Sequence, residues 1–137
     1  MGLYLCIFEG DQDIDGIDVG SYGDFNAIRE HVVVTLEDGN IGSKYPTFAL
    51  HSDSEGEWSV VDCVTLLKEL AAIAVLMKLQ PPLAFPSEWQ KLVARSMGLV
   101  PSNAFESFID VDGKFFLDRL QSLAALAVER NLPILFQ

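Results

Sequence analysis

The run Asp11-Gln12-Asp13-Ile14-Asp15-Gly16 sets three carboxylates at alternate positions ahead of a glycine, the way an EF-hand loop begins to wrap calcium. The second half of that loop is missing. Its last ligand should be a bidentate Glu, which falls here on Tyr22, and a helix should precede it, where this chain has the apolar run 3–8. The calcium alternative therefore needs Asp11, Asp13, Asp15 and Asp18 in some other arrangement around a hard cation, and the plainer reading is a solvated acidic turn. Asp110-Val111-Asp112-Gly113 looks similar in miniature, but reads as a helix cap followed by a turn.

His51, Ser52 and Asp53 are the residue types of a hydrolytic triad, but neighbours at a strand end point in alternating directions and form no relay with one another. A catalytic pair of Cys6 or Cys63 with His31 or His51 would require the fold to bring them together. No nucleophile elbow, phosphate loop or zinc-binding histidine pair occurs, so no catalytic residues, no metal and no cofactor are expected. The two cysteines, one in an apolar strand and one at a helix start, read as reduced, buried thiols.

Charge is the most uneven property of the chain. The first 62 residues carry 13 acidic and 2 basic side chains, and the remaining 75 carry 7 of each, so the whole net charge of −11 lies in the first part. The sign of a solvated surface has little influence on the fold but a strong one on which partners approach. Nucleic acid and the anionic membrane face share this sign and are not expected as partners; a basic protein or a cation is. The longest apolar helical run, 70–77, is too short to span a bilayer, and the N-terminus does not read as a secretory signal, so a cytoplasmic protein is expected.

With 137 residues, half of them hydrophobic, the chain is the size of one domain over 1–137. The run 3–8 reads as a strand and 9–18 as an acidic connection. Ser21 with Asp24 and Ser59 with Asp62 have capping-box spacing, the first opening a helix that runs to about Glu37 and the second a helix over 60–79. Residues 47–51 read as a second strand and 52–58 as an acidic loop. Pro81 and Pro82 stop the long helix, Ser87 opens a shorter one that Gly98 closes, and 104–109 supplies another strand. Asp112 caps a last helix from Lys114, closed by Arg130 and Asn131, ahead of the C-terminal strand 133–136. The sum is an α+β domain of about four helices packed on a small mixed sheet of about four strands.

The opening 1–8, Asp15-Gly16, and Val19-Gly20-Ser21-Tyr22 resemble a bacterial polymorphic-toxin immunity family, immunity protein type 70. Tyr45-Pro46-Thr47, Leu50-His51-Ser52-Asp53, Gly56-Glu57-Trp58-Ser59, 108–113 and 131–137 are similar to it in order and spacing, so the resemblance covers the chain end to end. It implies a small cytoplasmic protein, made beside a secreted toxin, that binds and blocks the toxin domain without catalysis. The apolar stretch 60–79 departs from the more charged helix that the family suggests.

Resemblance and charge agree on a basic toxin domain as partner. Asp11, Asp13, Asp15 and Asp18 are the expected first acidic patch, Asp53, Glu55 and Glu57 the second, and Trp58 an apolar anchor at the centre. The other reading is a calcium- or ligand-binding module built on residues 11–18. The sequence leaves the oligomeric state open.

Overall fold

In the computed structural model, which describes residues 2–137, strand β1 (Gly2–Glu9) turns at Gly10 into β2 (Gln12–Ser21), an antiparallel hairpin. The expected acidic connection is thus mostly strand: the run 3–8 finds its hydrogen-bonding partner in the next residues of the chain. β4 (Ile134–Phe136) pairs with the other edge of β1, and the two-residue β3 (Glu57–Trp58) with β4, giving the order β2-β1-β4-β3. Every pairing is antiparallel, so the sheet is not of the mixed kind.

Helices α1 (Tyr22–Leu36) and α3 (Val60–Met77) begin where the capping boxes placed them. Ser21 Oγ accepts from the Asp24 amide and Asp24 Oδ2 from the Ser21 amide; Ser59 and Asp62 repeat the exchange. α4 (Glu88–Met97) ends at Gly98 and α5 (Phe116–Arg130) at Asn131, both left-handed at the cap, as expected. α5 starts later than the sequence suggested. Asp110, rather than Asp112, organises the turn before it, accepting from the amides of Asp112 and Lys114. The stretch 104–109 is not a strand of the sheet: Phe105–Ser107 is a 3-10 turn, and only Ile109 makes a bridge, to Phe115.

The second expected strand, 47–51, is instead the five-residue helix α2 (Pro46–Leu50), too short to hold itself. Buried charges from two other helices fix both its ends. At its start Glu69 of α3, only 7% exposed, accepts from the amides of Thr47 and Phe48 at 3.2 and 2.9 Å. At its end the buried Arg29 guanidinium of α1 donates to the carbonyls of Ala49 and His51 and stacks on Phe25. An anion at the helix start and a cation at its end both complement the backbone dipoles.

The core is one cluster between the sheet and the helices. Leu3, Leu5 and Ile7 of β1, Ile17 and Val19 of β2, Ile134 and Phe136 of β4, and Trp58 all point into it. Phe25 sits at its centre, edge-on to Phe48, Trp58, Phe116 and Phe136. Cys6 and Cys63 are free and fully buried, as expected. Desolvation, with a smaller contribution from Asp13 at Cys6, pushes both thiols up to about 11.

Two outcomes test this architecture. Replacing Glu69 by Ala leaves one buried and one part-buried amide without acceptors and should cost about 3 kcal/mol in urea unfolding, whereas Glu57→Ala on the exposed edge should stay within about 0.5 kcal/mol. With thiol pKa values of about 11, iodoacetamide at pH 8 should leave both cysteines of the folded protein unmodified and alkylate both once urea unfolds it.

Candidate partner-binding face

Because the sheet residues of the core all point to one side, the alternate residues form a second face. Tyr4, Cys6 and Phe8 of β1, Asp13, Gly16 and Asp18 of β2, Leu135 of β4 and Glu57 of β3 occupy it by register. None of them belongs to the core cluster. Two register shifts in the hairpin, between Leu3 and Tyr4 and between Ile7 and Phe8, put Asp18 opposite Tyr4 and Asp13 opposite Phe8.

The face has an aromatic and aliphatic middle with carboxylates on both edges. Tyr4 leans across Gly16, so closely that a Cβ there would overlap its phenol ring, and donates its hydroxyl to Asp13 Oδ2 at 2.7 Å. An aromatic ring laid over a glycine of an edge strand shields backbone that would otherwise be bare. Desolvation first, then that hydrogen bond, pushes the Tyr4 phenol up to about 12. Asp13, Asp18 and Glu57 are exposed, and Tyr4, Phe8 and Leu135 are half-buried. Three strand spacings of about 4.8 Å separate the β2 and β3 edges, roughly 14 Å in all. No Lys or Arg occupies a position on this face.

The expected site residues divide accordingly. Asp13, Asp18 and Glu57, drawn from both expected patches, share this face, and Asp11 stands exposed at the hairpin turn beside it. Asp15 turns the other way, opposite Ile7, and pairs with Arg119 of α5 at 3.4 Å. Asp53 accepts from Asn26 at 2.7 Å beside the buried Arg29, so its charge is largely spent inside the molecule. Glu55 is exposed in the loop before β3. Trp58 is no surface anchor: it is 1% exposed, packs against Phe136, and donates its indole N–H to the Thr47 carbonyl at 3.0 Å. The apolar middle of the sheet face is formed by Tyr4, Phe8 and Leu135.

The strand also undoes the calcium loop. Asp13 and Asp15 lie on opposite faces of β2, and among the described residues no three His, Cys, Asp or Glu side chains converge as metal ligands. The triad types do not assemble either. Both ring nitrogens of His51 face backbone carbonyls, Ser52 O and Glu57 O, while its ring stacks on Phe136 at 4.0 Å. Ser52 Oγ accepts from the amides of Ser54 and Glu55. Each cysteine sulfur faces a backbone carbonyl, of Leu135 and of Trp58, and His31 bonds Gln80.

A second exposed apolar surface lies on α3. Val61 and Val75 of α3 and Leu79 just past its end are 76%, 63% and 80% exposed, with Lys68 on the same stripe and Lys78 turned onto the Phe105 ring. No helix among the described residues is long and apolar enough to cross a membrane.

No curated protein and no solved structure matches the chain. The model of one family, described as Immunity protein 70, matches residues 3–136, nearly the whole length. With residues 3–136 matched by that model, the chain belongs to the Immunity protein 70 family.

Proposed function

We propose that this immunity protein neutralises a cognate polymorphic-toxin domain by direct binding, in the cytoplasm of the cell that makes both, and that the open sheet face is what it binds with. The observation that supports this most is the composition of that face: Tyr4, Phe8 and Leu135 in the middle, Asp13, Asp18 and Glu57 at the edges, and no cation among them. An apolar centre with a charged rim is the usual anatomy of a protein interface. Fixed negative charge steers a basic partner during encounter, and the desolvated centre then slows its release. Tyr4 comes to the face already oriented by its bond to Asp13, so little side-chain freedom is lost on docking.

In this reading inhibition is by occlusion: the inhibitor covers a basic surface that the toxin needs for its own substrate. The face is also an open platform rather than a cleft, which suits a convex or extended partner surface.

The direct test is co-expression with a candidate toxin domain, first the C-terminal domain of any large secreted protein encoded beside this chain. Growth should be restored and the two chains should co-elute; toxicity without rescue or co-elution would exclude that toxin as the partner. With the complex in hand, the triple variant Asp13→Asn, Asp18→Asn, Glu57→Gln should associate roughly tenfold more slowly at low salt and with a flatter salt dependence. Unchanged kinetics would remove these carboxylates from the interface. Tyr4→Ala combined with Phe8→Ala should instead act mainly on dissociation, speeding it by roughly a hundredfold.

A further inference from the structure

A cavity of about 520 Å³ opens where the end of the hairpin meets α1 and α4, lined by Gly20, Asp24, Ser87, Trp89, Val93 and Val111 among others. Its size is in the range of ligand sites. Asp24, only 9% exposed, lines it. Its Oδ2 is fully engaged, accepting from Ser21 N at 2.7 Å, Ser21 Oγ at 2.9 Å and Trp89 Nε1 at 3.1 Å. Its Oδ1 has no hydrogen-bond partner among the described residues. Ser87 Oγ, also in the lining, is buried and unpartnered.

Buried polar atoms without partners are uncommon and call for an explanation. Ser87 Oγ is such an atom; Asp24 Oδ1 is reached by solvent but also lacks a donor, and the rest of the lining includes an indole, two valines, Ser21 and glycine backbone. Gly20 makes the arrangement possible: a Cβ there would fall 2.6 Å from Asp24 Oδ2 and 2.7 Å from Trp89 Cζ2. No Lys or Arg lines the cavity. An anion is repelled by Asp24, and a purely apolar group leaves both oxygens unsatisfied. A cation with several N–H donors on an apolar stem satisfies all of the lining: donors to Asp24 and Ser87, a positive charge beside the Trp89 ring, and methylenes against Val93 and Val111.

We propose that this cavity receives an arginine side chain of the bound toxin domain. A guanidinium carries five donors in a plane that also stacks on indole, which suits two separate acceptors better than the point charge of an ammonium. The assignment rests on the reading of the chain as inhibitor of a basic partner. The pocket is a specific lock beside the steering charges of the sheet face, and a partner lacking the arginine covers Asp24 Oδ1 without supplying it a donor.

The test begins without the toxin. The two tryptophans give two indole N–H resonances, and N-acetyl-arginine methylamide should shift that of Trp89 saturably while leaving Trp58 in place. The citrulline counterpart, neutral and nearly isosteric, should bind at least roughly tenfold more weakly. Asp24→Asn should abolish the response, and because that change also touches the α1 cap, Val93→Phe, which fills the cavity and leaves the cap intact, should abolish it too. In the toxin complex Val93→Phe should raise Kd by roughly tenfold or more. An equal response to citrulline, tighter binding of the lysine derivative, or no movement of Trp89 would overturn the guanidinium site. Arginine binding with an unchanged toxin Kd in Val93→Phe would overturn its role in the interface. Should the wild-type protein bind no toxin at all, the inhibitor reading fails, and the arginine titration still decides what the cavity takes.

Discussion

The molecule depends on the position of one strand. β1 is paired on both edges, to β2 and to β4, and its odd residues Leu3, Leu5 and Ile7 form the sheet side of the core. Sheet and helices contribute to one cluster on that side. A strand exposes its residues alternately, so once the core is built on the odd residues, the even ones, Tyr4, Cys6 and Phe8, must face away from it. A two-layer fold therefore makes an uncovered face unavoidable. What distinguishes this chain is what it sets there: aromatic side chains between carboxylates rather than the lysines that commonly guard exposed sheet.

The acidic composition has two uses that the sequence does not separate. Several carboxylates work inside the molecule. Glu69 holds the start of α2, Glu37 accepts from the amides of Gly42, Lys44 and Tyr45 and so folds the loop after α1, and Asp110 organises the turn before α5, its carboxyl raised above the usual range mainly by burial. Such groups are anions surrounded by backbone donors, and their charge is spent on local structure. In the proposed function the carboxylates offered to the partner are those that β2 and β3 carry outward, with Asp11 and Glu55 beside them, while Glu30 and Asp38 are exposed elsewhere.

The helix starts were readable in the sequence because a capping box is local: Ser21 with Asp24 and Ser59 with Asp62 contain all the atoms of the interaction within four residues. The misread elements are those whose cause is distant. Residues 46–50 are helical because Glu69 and Arg29 clamp them from other helices, and no pattern within five residues reports that. β2 was hidden by its own composition, since a strand at a sheet edge with one face in water tolerates aspartates that read as turn. Trp58 follows three acidic residues and so resembles an exposed anchor, but as one of the two residues of β3 it points into the core. Tyr4 and Phe8 were masked in an unbroken apolar run; the one available signal was that aliphatic residues hold the odd places of β1 while Tyr, Cys and Phe hold the even ones.

The central claim is that the toxin covers the open face of the sheet. Hydroxyl-radical footprinting of the free and toxin-bound protein tests it most directly, since Tyr4 and Phe8 on that face and Val61 and Val75 on α3, with Leu79 just past its end, can be read in one experiment. The account predicts that the complex shields Tyr4 and Phe8 and leaves the α3 residues as reactive as before. Shielding of α3 with Tyr4 and Phe8 still labelled would contradict it and move the interface to the opposite side of the molecule.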